Sequence, residues 1–169
     1  IKKAMTNAAQ VLVEQLAERF LKASKKLVTA ESCTGGGLAE NLTQLPGSSL
    51  WYECGFVTYS NQSKRDLLAV PIDTLEEFGA VSEETALAMA KGALDMSSAD
   101  FSVSITGVAG PDGGSEEKPV GTVCVAWYER DKGGNTTCIH FEGDRRRVRE
   151  QSCLLAMQGL LDILQKTSD

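Results

Sequence analysis

A chain of 169 residues with 42% hydrophobic and 24% charged residues has the size and composition of one globular domain. The formal net charge of −6 argues against a nucleic-acid-binding protein, which needs a basic face for the phosphates. No apolar run reaches the roughly 18 residues that a membrane-spanning helix needs, so no membrane segment is expected. We therefore expect residues 1–169 to form a single domain.

Apolar residues at four-residue spacing predict a first helix over residues 6–24, and a short apolar run predicts a strand over 27–30. A second helix is predicted over 35–45, where it ends before a Pro-Gly pair. Aromatic and β-branched residues then predict a strand over 52–59, followed by a short helix over 62–69. This alternation is typical of parallel strands joined by helices.

The second half of the chain begins with a helix predicted over 82–97, with a serine suited to cap its start. A strand is predicted over 101–106. Two further strands, over 120–128 and 136–141, are separated by a glycine-rich interval that indicates an antiparallel hairpin. A helix over 144–164 closes the chain. The predicted fold is therefore α/β: a three-layer α/β/α sandwich around a mixed sheet of about five strands.

The chain has five cysteines, no two of them in a CxxC motif, and a single histidine. A zinc site is therefore not expected, and no metal or other cofactor is predicted. Reduced thiols in a cytoplasmic protein are the simplest interpretation. The cysteines are Cys33, Cys54, Cys124, Cys138 and Cys153.

The first predicted strand ends in the segment Thr-Ala-Glu-Ser-Cys-Thr-Gly-Gly-Gly over 29–37. A serine at such a strand-to-helix turn faces free N–H groups and the positive end of the helix dipole. Ser32 is therefore a candidate nucleophile, since this position also suits a developing oxyanion. An ordinary turn capped by Ser32 or Thr34 is the alternative. Glu31 either holds this turn or orients a substrate group.

Tyr59 ends the second predicted strand, and Lys64 lies in the first turn of the next helix. If the first two strands are parallel neighbours, both side chains reach the same sheet edge as Ser32. A serine hydroxyl needs a base, and a desolvated lysine can supply one. A tyrosine hydroxyl can relay the proton or orient the amine. The alternative is a solvated lysine and a strand-end aromatic residue.

A glycine-dense loop over 106–114 follows another predicted strand, and glycines let backbone N–H groups turn towards an anion. Arg145 opens the last helix, after Asp144 as a plausible N-cap, and could swing towards a phosphate. Arg145 to Arg147 with Arg149 form the one dense basic cluster, which is large enough for a small phosphate. A connecting loop without a ligand is the alternative.

Together, the segments 29–36, 55–64 and 110–123 resemble the C-terminal domain of the CinA competence/damage-inducible family. Residues 79–83 and 143–145 fit the same pattern, and the resemblance covers nearly the whole chain. It implies hydrolysis of the carboxamide of nicotinamide mononucleotide (NMN) to nicotinic acid mononucleotide and ammonia, in pyridine-nucleotide salvage.

The resemblance also implies a metal-free Ser–Lys amidase mechanism with an assisting tyrosine, which maps onto Ser32, Lys64 and Tyr59. We further expect no nucleic-acid partner and a homo-oligomer, with a dimer favoured. A non-catalytic nucleotide-binding or regulatory module and a Ser–Lys hydrolase of another amide are the alternatives. The expected substrate-binding residues are Glu31, Thr34, Gly35, Gly36, Thr106, Gly107, Gly110, Gly113 and Arg145. Thr34 and Gly35 compete with the 106–114 loop for the phosphate.

Overall fold

A computed structural model describes residues 7–166, apart from the side chain of the last of them. The predicted start of the first helix at residue 6 lies outside the described residues. The elements in chain order are α1 (Asn7–Ala23), β1 (Leu27–Glu31), α2 (Gly37–Thr43), a 3₁₀ turn (Ser48–Leu50), β2 (Tyr52–Val57), α3 (Asn61–Leu68), α4 (Ile72–Phe78), α5 (Glu83–Asp95), β3 (Phe101–Gly107), β4 (Thr122–Glu129), β5 (Gly133–His140) and α6 (Arg145–Lys166).

The strands of the described chain form one mixed sheet in the order β2-β1-β3-β4-β5. β1 is parallel to both of its neighbours, β2 and β3, whereas β4 is antiparallel to β3 and to β5. Helices cover both faces, so the predicted three-layer α/β/α architecture is confirmed. The carboxyl ends of the three parallel strands consequently meet at one edge of the sheet, where α/β proteins hold their ligands.

The side chains of β1 alternate between two apolar layers. Leu27 packs with Phe20 and Trp51 in the layer that contains α1, α2 and α6. The rings of Phe20 and Trp51 stack with their centroids 5.6 Å apart. Val28 and Ala30 instead pack in the layer that contains α3, α4 and α5. Because both faces are covered, every residue of β1 is buried, as is usual for a central parallel strand.

Several element boundaries differ from the sequence predictions. α2 begins at Gly37, two residues later than expected, because Gly35 and Gly36 have left-handed φ angles of 57° and 92° that a right-handed helix cannot contain. β2 ends at Val57 because the chain leaves the sheet to begin α3. α4 was not predicted at all. With only seven residues, it is too short to show a clear helical period.

The expectation that every cysteine is a reduced thiol is wrong for one pair. Cys124 and Cys138 lie directly opposite each other on β4 and β5, with their Cα atoms 4.0 Å apart, and form a disulfide. The other three cysteines are free. Cross-strand register, which spacing alone does not reveal, brings this pair together.

Two further observations concern the described residues. Within 7–166, no helix is long and apolar enough to cross a membrane. The same part of the chain contains no cluster of three or more His, Cys, Asp or Glu residues that could bind a metal ion.

Candidate active site

The carboxyl end of β1 lies between the ends of its two parallel neighbours. The Thr58 N–H donates to the Glu31 carbonyl at 2.8 Å, one residue beyond β2. On the other side, the Ser32 N–H donates to the Ile105 carbonyl of β3 at 2.9 Å. Sheet hydrogen bonding thus continues to the edge of the turn and fixes the main chain of Ser32 on both sides.

Ser32 and Lys64 are in direct contact, as the sequence predicts. The Lys64 Nζ donates to the Ser32 Oγ at 3.0 Å and to the Thr58 carbonyl at 2.9 Å. Lys64 is only 1% exposed and Ser32 8% exposed. Within the described residues, Lys64 forms no ion pair with a carboxylate. Burial without such a partner lowers the pKa of the Lys64 amine below its ordinary value, which favours the neutral form that a general base requires.

The local sequence explains why Lys64 points inward. Ser60 caps α3: its Oγ accepts from the Ser63 N–H at 3.0 Å, and the Ser60 N–H donates to the Ser63 Oγ at 3.1 Å. With this reciprocal cap, only three residues separate the end of β2 from the start of α3. One turn later, Lys64 and Leu68 form the buried face of α3. A short connection and a strong cap therefore place the amine under the end of β1.

Glu31 holds the start of α2, which agrees with the first of its two predicted roles. Its carboxylate is 0% exposed, and its two oxygens accept from the Leu38 N–H at 2.9 Å and the Ala39 N–H at 3.0 Å. A negative charge is favourable at this end of a helix, where the first N–H groups have no helical acceptor. The side chain that precedes Ser32 thus ties the turn to the helix that follows it.

Some main-chain N–H groups of the Ser32 turn have acceptors within the turn itself. The Gly35 N–H already donates to the Ser32 carbonyl at 3.0 Å, and the Gly37 N–H to the Thr34 carbonyl at 3.0 Å. The Gly35 N–H thus has an acceptor within the turn, and the expectation that Gly35 binds substrate stays a prediction. The N–H groups of Thr34 and Gly36 have no acceptor in the described part of the chain, so both can donate to a ligand.

Arg149 is a site residue that the predicted list of binding residues omits. Its Nη2 donates to the Thr34 carbonyl at 2.8 Å, so α6 supports the Ser32 turn from the side. Its Nε is buried and has no hydrogen-bond partner, and the same is true of the Thr34 Oγ1. The dense basic cluster was the available sequence signal, but it does not distinguish Arg149 from its neighbours.

Tyr59 and Arg145 meet above the same sheet edge. Arg145 donates from Nη2 to the Tyr59 hydroxyl at 2.8 Å and from Nη1 to the Gly110 carbonyl at 2.8 Å. Tyr59 is 60% exposed, and the hydrogen bond of its hydroxyl goes to Arg145 and not to Lys64. The predicted proton relay from Lys64 through Tyr59 has no direct hydrogen bond here and stays a prediction.

The other predicted residues of the phosphate loop have different environments. Thr106 is buried, and its hydroxyl donates to the Ala80 carbonyl at 2.7 Å. Gly107 ends β3, where an added Cβ would lie 2.8 Å from the Thr122 carbonyl oxygen. Gly113 has a left-handed φ of 89°. Among the loop residues in the predicted set, only Gly110 contacts Arg145.

Cys33, which follows the candidate nucleophile, is poorly suited to replace it. Its side chain is buried, and burial raises the pKa of the thiol to about 11. A thiol must ionise to become a strong nucleophile. The prediction that Cys33 is a buried small residue agrees with this environment.

Comparison with known proteins gives a consistent result. The sequence model of the CinA C-terminal domain matches residues 9–164. The chain is 47% identical to the nicotinamide-nucleotide amidohydrolase PncC of Pseudomonas putida, over 90% of this chain and 94% of that protein. It is 49% identical to the protein of the same name from Escherichia coli K12, over 88% of this chain and 90% of that protein.

Solved structures resemble the fold equally closely. The structure of the competence/damage inducible protein CihA from Agrobacterium tumefaciens superposes with a TM-score of 0.93 and 41% sequence identity. That superposition covers 96% of this chain and 99% of the other. The overall fold is therefore one that an experimental structure of a related sequence shares.

Proposed function

Because the chain belongs to the CinA C-terminal domain family, we propose that it is an amidohydrolase that converts NMN and water into nicotinic acid mononucleotide and ammonia. The observation that carries the proposal is the 3.0 Å hydrogen bond between a buried Lys64 amine and Ser32 at the carboxyl end of β1. The substrate is inferred from the names of the similar proteins. The reaction mechanism is inferred from the hydrogen bond between Lys64 and Ser32.

In the first step, neutral Lys64 removes the proton of the Ser32 hydroxyl while Oγ attacks the carboxamide carbon. A base adjacent to the hydroxyl is what a serine nucleophile requires, because the free hydroxyl ionises too weakly near neutral pH. Lys64 suits this role because its Nζ is already directed at Oγ and burial lowers its pKa. The Thr58 carbonyl accepts a second hydrogen bond from the amine and so fixes its orientation.

The tetrahedral intermediate places a negative charge on the former carbonyl oxygen. The free N–H groups of Thr34 and Gly36 are the donors that we assign to it. One such donor contributes about 3 kcal/mol to transition-state stabilisation in a well-formed oxyanion hole. Arg149 and Glu31 hold the turn that carries these donors, one through the Thr34 carbonyl and one through the start of α2.

Collapse of the intermediate breaks the C–N bond, and the proton now on Lys64 passes to the leaving nitrogen so that ammonia departs. Lys64 is again neutral, and it then removes a proton from the water that attacks the acyl-Ser32 ester. The carboxylate product leaves, and Ser32 recovers its proton from Lys64. The same amine thus serves as base and acid in both halves of the reaction.

The phosphate of the nucleotide needs a site away from the amide. We assign it to Arg145, whose guanidinium lies between the Tyr59 hydroxyl and the Gly110 carbonyl at the sheet edge that contains Ser32. A guanidinium is well suited to a phosphate because its donors match the phosphate oxygens in pairs. Tyr59 would then orient the guanidinium and assist Lys64 only after substrate binds.

Ammonia release from NMN tests the proposal, with nicotinamide as the comparison substrate. Ser32→Ala should lower kcat at least about a thousandfold, as expected when a catalytic nucleophile is removed. Ser49→Ala, which removes an exposed hydroxyl in the 3₁₀ turn away from Ser32 and Lys64, is the matched control. Activity of Ser32→Ala within about tenfold of the parent would reject the nucleophile assignment. Equal turnover of nicotinamide would instead indicate an amidase of another specificity.

We also propose that the chain works as a homodimer in the cytoplasm. β2 is an edge strand with Val57 exposed at its end, and Leu50 is exposed just before it, so an apolar surface is available for a second copy. The free thiols of Cys33, Cys54 and Cys153 are consistent with a reducing compartment, whereas the Cys124–Cys138 disulfide is more usual in an oxidising one. Light scattering at micromolar concentration measures the oligomeric state, and a monomer would refute the proposed dimer. Cell fractionation measures the location, and a membrane-associated protein would refute the proposed cytoplasmic location.

A further inference from the structure

The dense basic cluster of the sequence is divided by the fold into two parts. Arg145 reaches over the sheet edge to Tyr59 and Gly110. Arg146, Arg147 and Arg149 instead line a groove of about 470 Å³ between α2 and α6. This volume is in the range of small-molecule binding sites. The proposed mechanism places no part of the substrate in this groove, although Thr34 and Arg149, which belong to its lining, also form or support the proposed oxyanion site.

The groove is separate from the Ser32–Lys64 pair. Side chains alternate along β1, so Glu31 faces α2 whereas Ser32 faces Lys64 on α3, in the opposite layer. Thr34 and Gly37 line the groove, but Ser32, Tyr59 and Lys64 do not. The Ser32 turn therefore lies between the Ser32–Lys64 pair on one side and this groove on the other.

Unpartnered polar atoms indicate that the groove holds a ligand. Among the described residues, only two buried side-chain nitrogen or oxygen atoms lack a hydrogen-bond partner: the Thr34 Oγ1 and the Arg149 Nε. Both residues line the groove, and Thr34 is fully buried. Buried polar groups are nearly always hydrogen-bonded, so these two call for a partner that the chain itself does not provide. One hydroxyl and one guanidinium N–H together suit an anionic oxygen.

The other lining groups define the class of ligand. Arg146 and Arg147 add two exposed guanidinium groups next to Arg149, which suits a phosphate. Glu40 and Glu142 also line the groove, and carboxylates accept hydrogen bonds from sugar hydroxyls. Leu154 and Met157 supply an apolar wall. Guanidinium, carboxylate and apolar groups around one cavity match a phosphate, a sugar and a ring, respectively.

We propose that the groove between α2 and α6 is a second binding site, separate from the catalytic pair, for a small phosphorylated sugar of the ribonucleotide class. Thr34 and Arg149 bind the phosphate, with Arg146 and Arg147 beside it. A ligand there contacts Thr34, two residues after Ser32, and Arg149, whose guanidinium donates to the Thr34 carbonyl. The proposal concerns binding and does not depend on the proposed hydrolysis.

Calorimetric titration of the whole chain with AMP, a ribonucleotide that carries no carboxamide, tests the proposal. The double variant Arg146→Gln/Arg147→Gln should raise the Kd about tenfold, the loss expected for two charge-assisted contacts. Both side chains are exposed, so the fold should be retained, and circular dichroism checks this. Arg19→Gln, on α1 outside the groove lining, is the matched control and should leave the Kd within about twofold.

Two further arms make the result decisive. Arg145→Ala separates this groove from the proposed substrate-phosphate site: if it abolishes AMP binding while the double variant does not, AMP occupies the Ser32 side and the proposal is wrong. No AMP binding at millimolar concentration also overturns it. Inorganic phosphate is the last probe. If it binds as tightly as AMP, the sugar and ring contribute nothing, and the ribonucleotide class is refuted.

Discussion

Replacing Glu31 by glutamine tests whether this buried carboxylate organises the turn that carries Ser32. The carboxylate accepts two backbone N–H groups of α2, at 2.9 and 3.0 Å. Glutamine keeps one acceptor oxygen but directs an NH₂ group at the other N–H. One charge-assisted hydrogen bond is therefore lost, at about 1.5–3 kcal/mol, and the other becomes a neutral bond that is about 1 kcal/mol weaker. The expected loss in the free energy of unfolding is roughly 3 kcal/mol.

Thermal denaturation followed by circular dichroism measures this loss. For a chain of this length, about 3 kcal/mol corresponds to a Tm lower by roughly 6–12 °C. Glu40→Gln is the matched control, since Glu40 lies in the first turn of the same helix but is exposed, and it should change stability by less than about 0.5 kcal/mol. A Tm of Glu31→Gln within about 2 °C of the parent would refute the reasoning. With folded protein, kcat should fall more than KM rises, because the turn carries the proposed nucleophile and its proposed oxyanion donors.

Three further predictions concern the site. Lys64→Arg should be inactive, because a guanidinium stays charged and cannot act as a base. In the parent, kcat should rise as the pH is raised through the lowered Lys64 pKa, because the amine becomes neutral. A kcat that does not change from acid to alkaline pH would contradict this. Between the lowered Lys64 pKa and the ordinary value of 10.5, the unfolded chain binds more protons than the folded chain, so the free energy of unfolding should rise as the pH is raised through this window. Urea unfolding at several pH values measures this rise, and Lys64→Met should remove it. Cys33→Ser should keep activity within about tenfold, and iodoacetamide should not inhibit the parent at neutral pH, since a pKa of about 11 leaves the thiol protonated.

The contact between Ser32 and Lys64 was predictable because it depends on local signals. An apolar run that stops at Glu31 and Ser32 marks the end of a strand, and a serine-capped helix after the next strand places Lys64 one turn in. The remaining step is that the two strands are parallel neighbours, which the alternation of helices and strands favours. Each inference needs only sequence neighbours and a general rule of topology.

The contacts that complete the site were less accessible to sequence reasoning. The Thr58 carbonyl orients the Lys64 amine, but a main-chain acceptor has no side-chain signature. The hydrogen bond between Arg145 and Tyr59 joins residues 86 positions apart, so it follows from the packing of α6 over the sheet edge. Likewise, the Thr106 hydroxyl, a plausible phosphate ligand in sequence, is occupied by the Ala80 carbonyl.

Mass spectrometry of the chain after acid quench during turnover of NMN tests the central claim most directly, namely that Ser32 becomes acylated with help from the Lys64 amine. The predicted result is a transient adduct with the mass of the substrate minus ammonia, mapped to Ser32 and absent from Ser32→Ala. An adduct on Cys33, or full ammonia release by Ser32→Ala, would contradict the account.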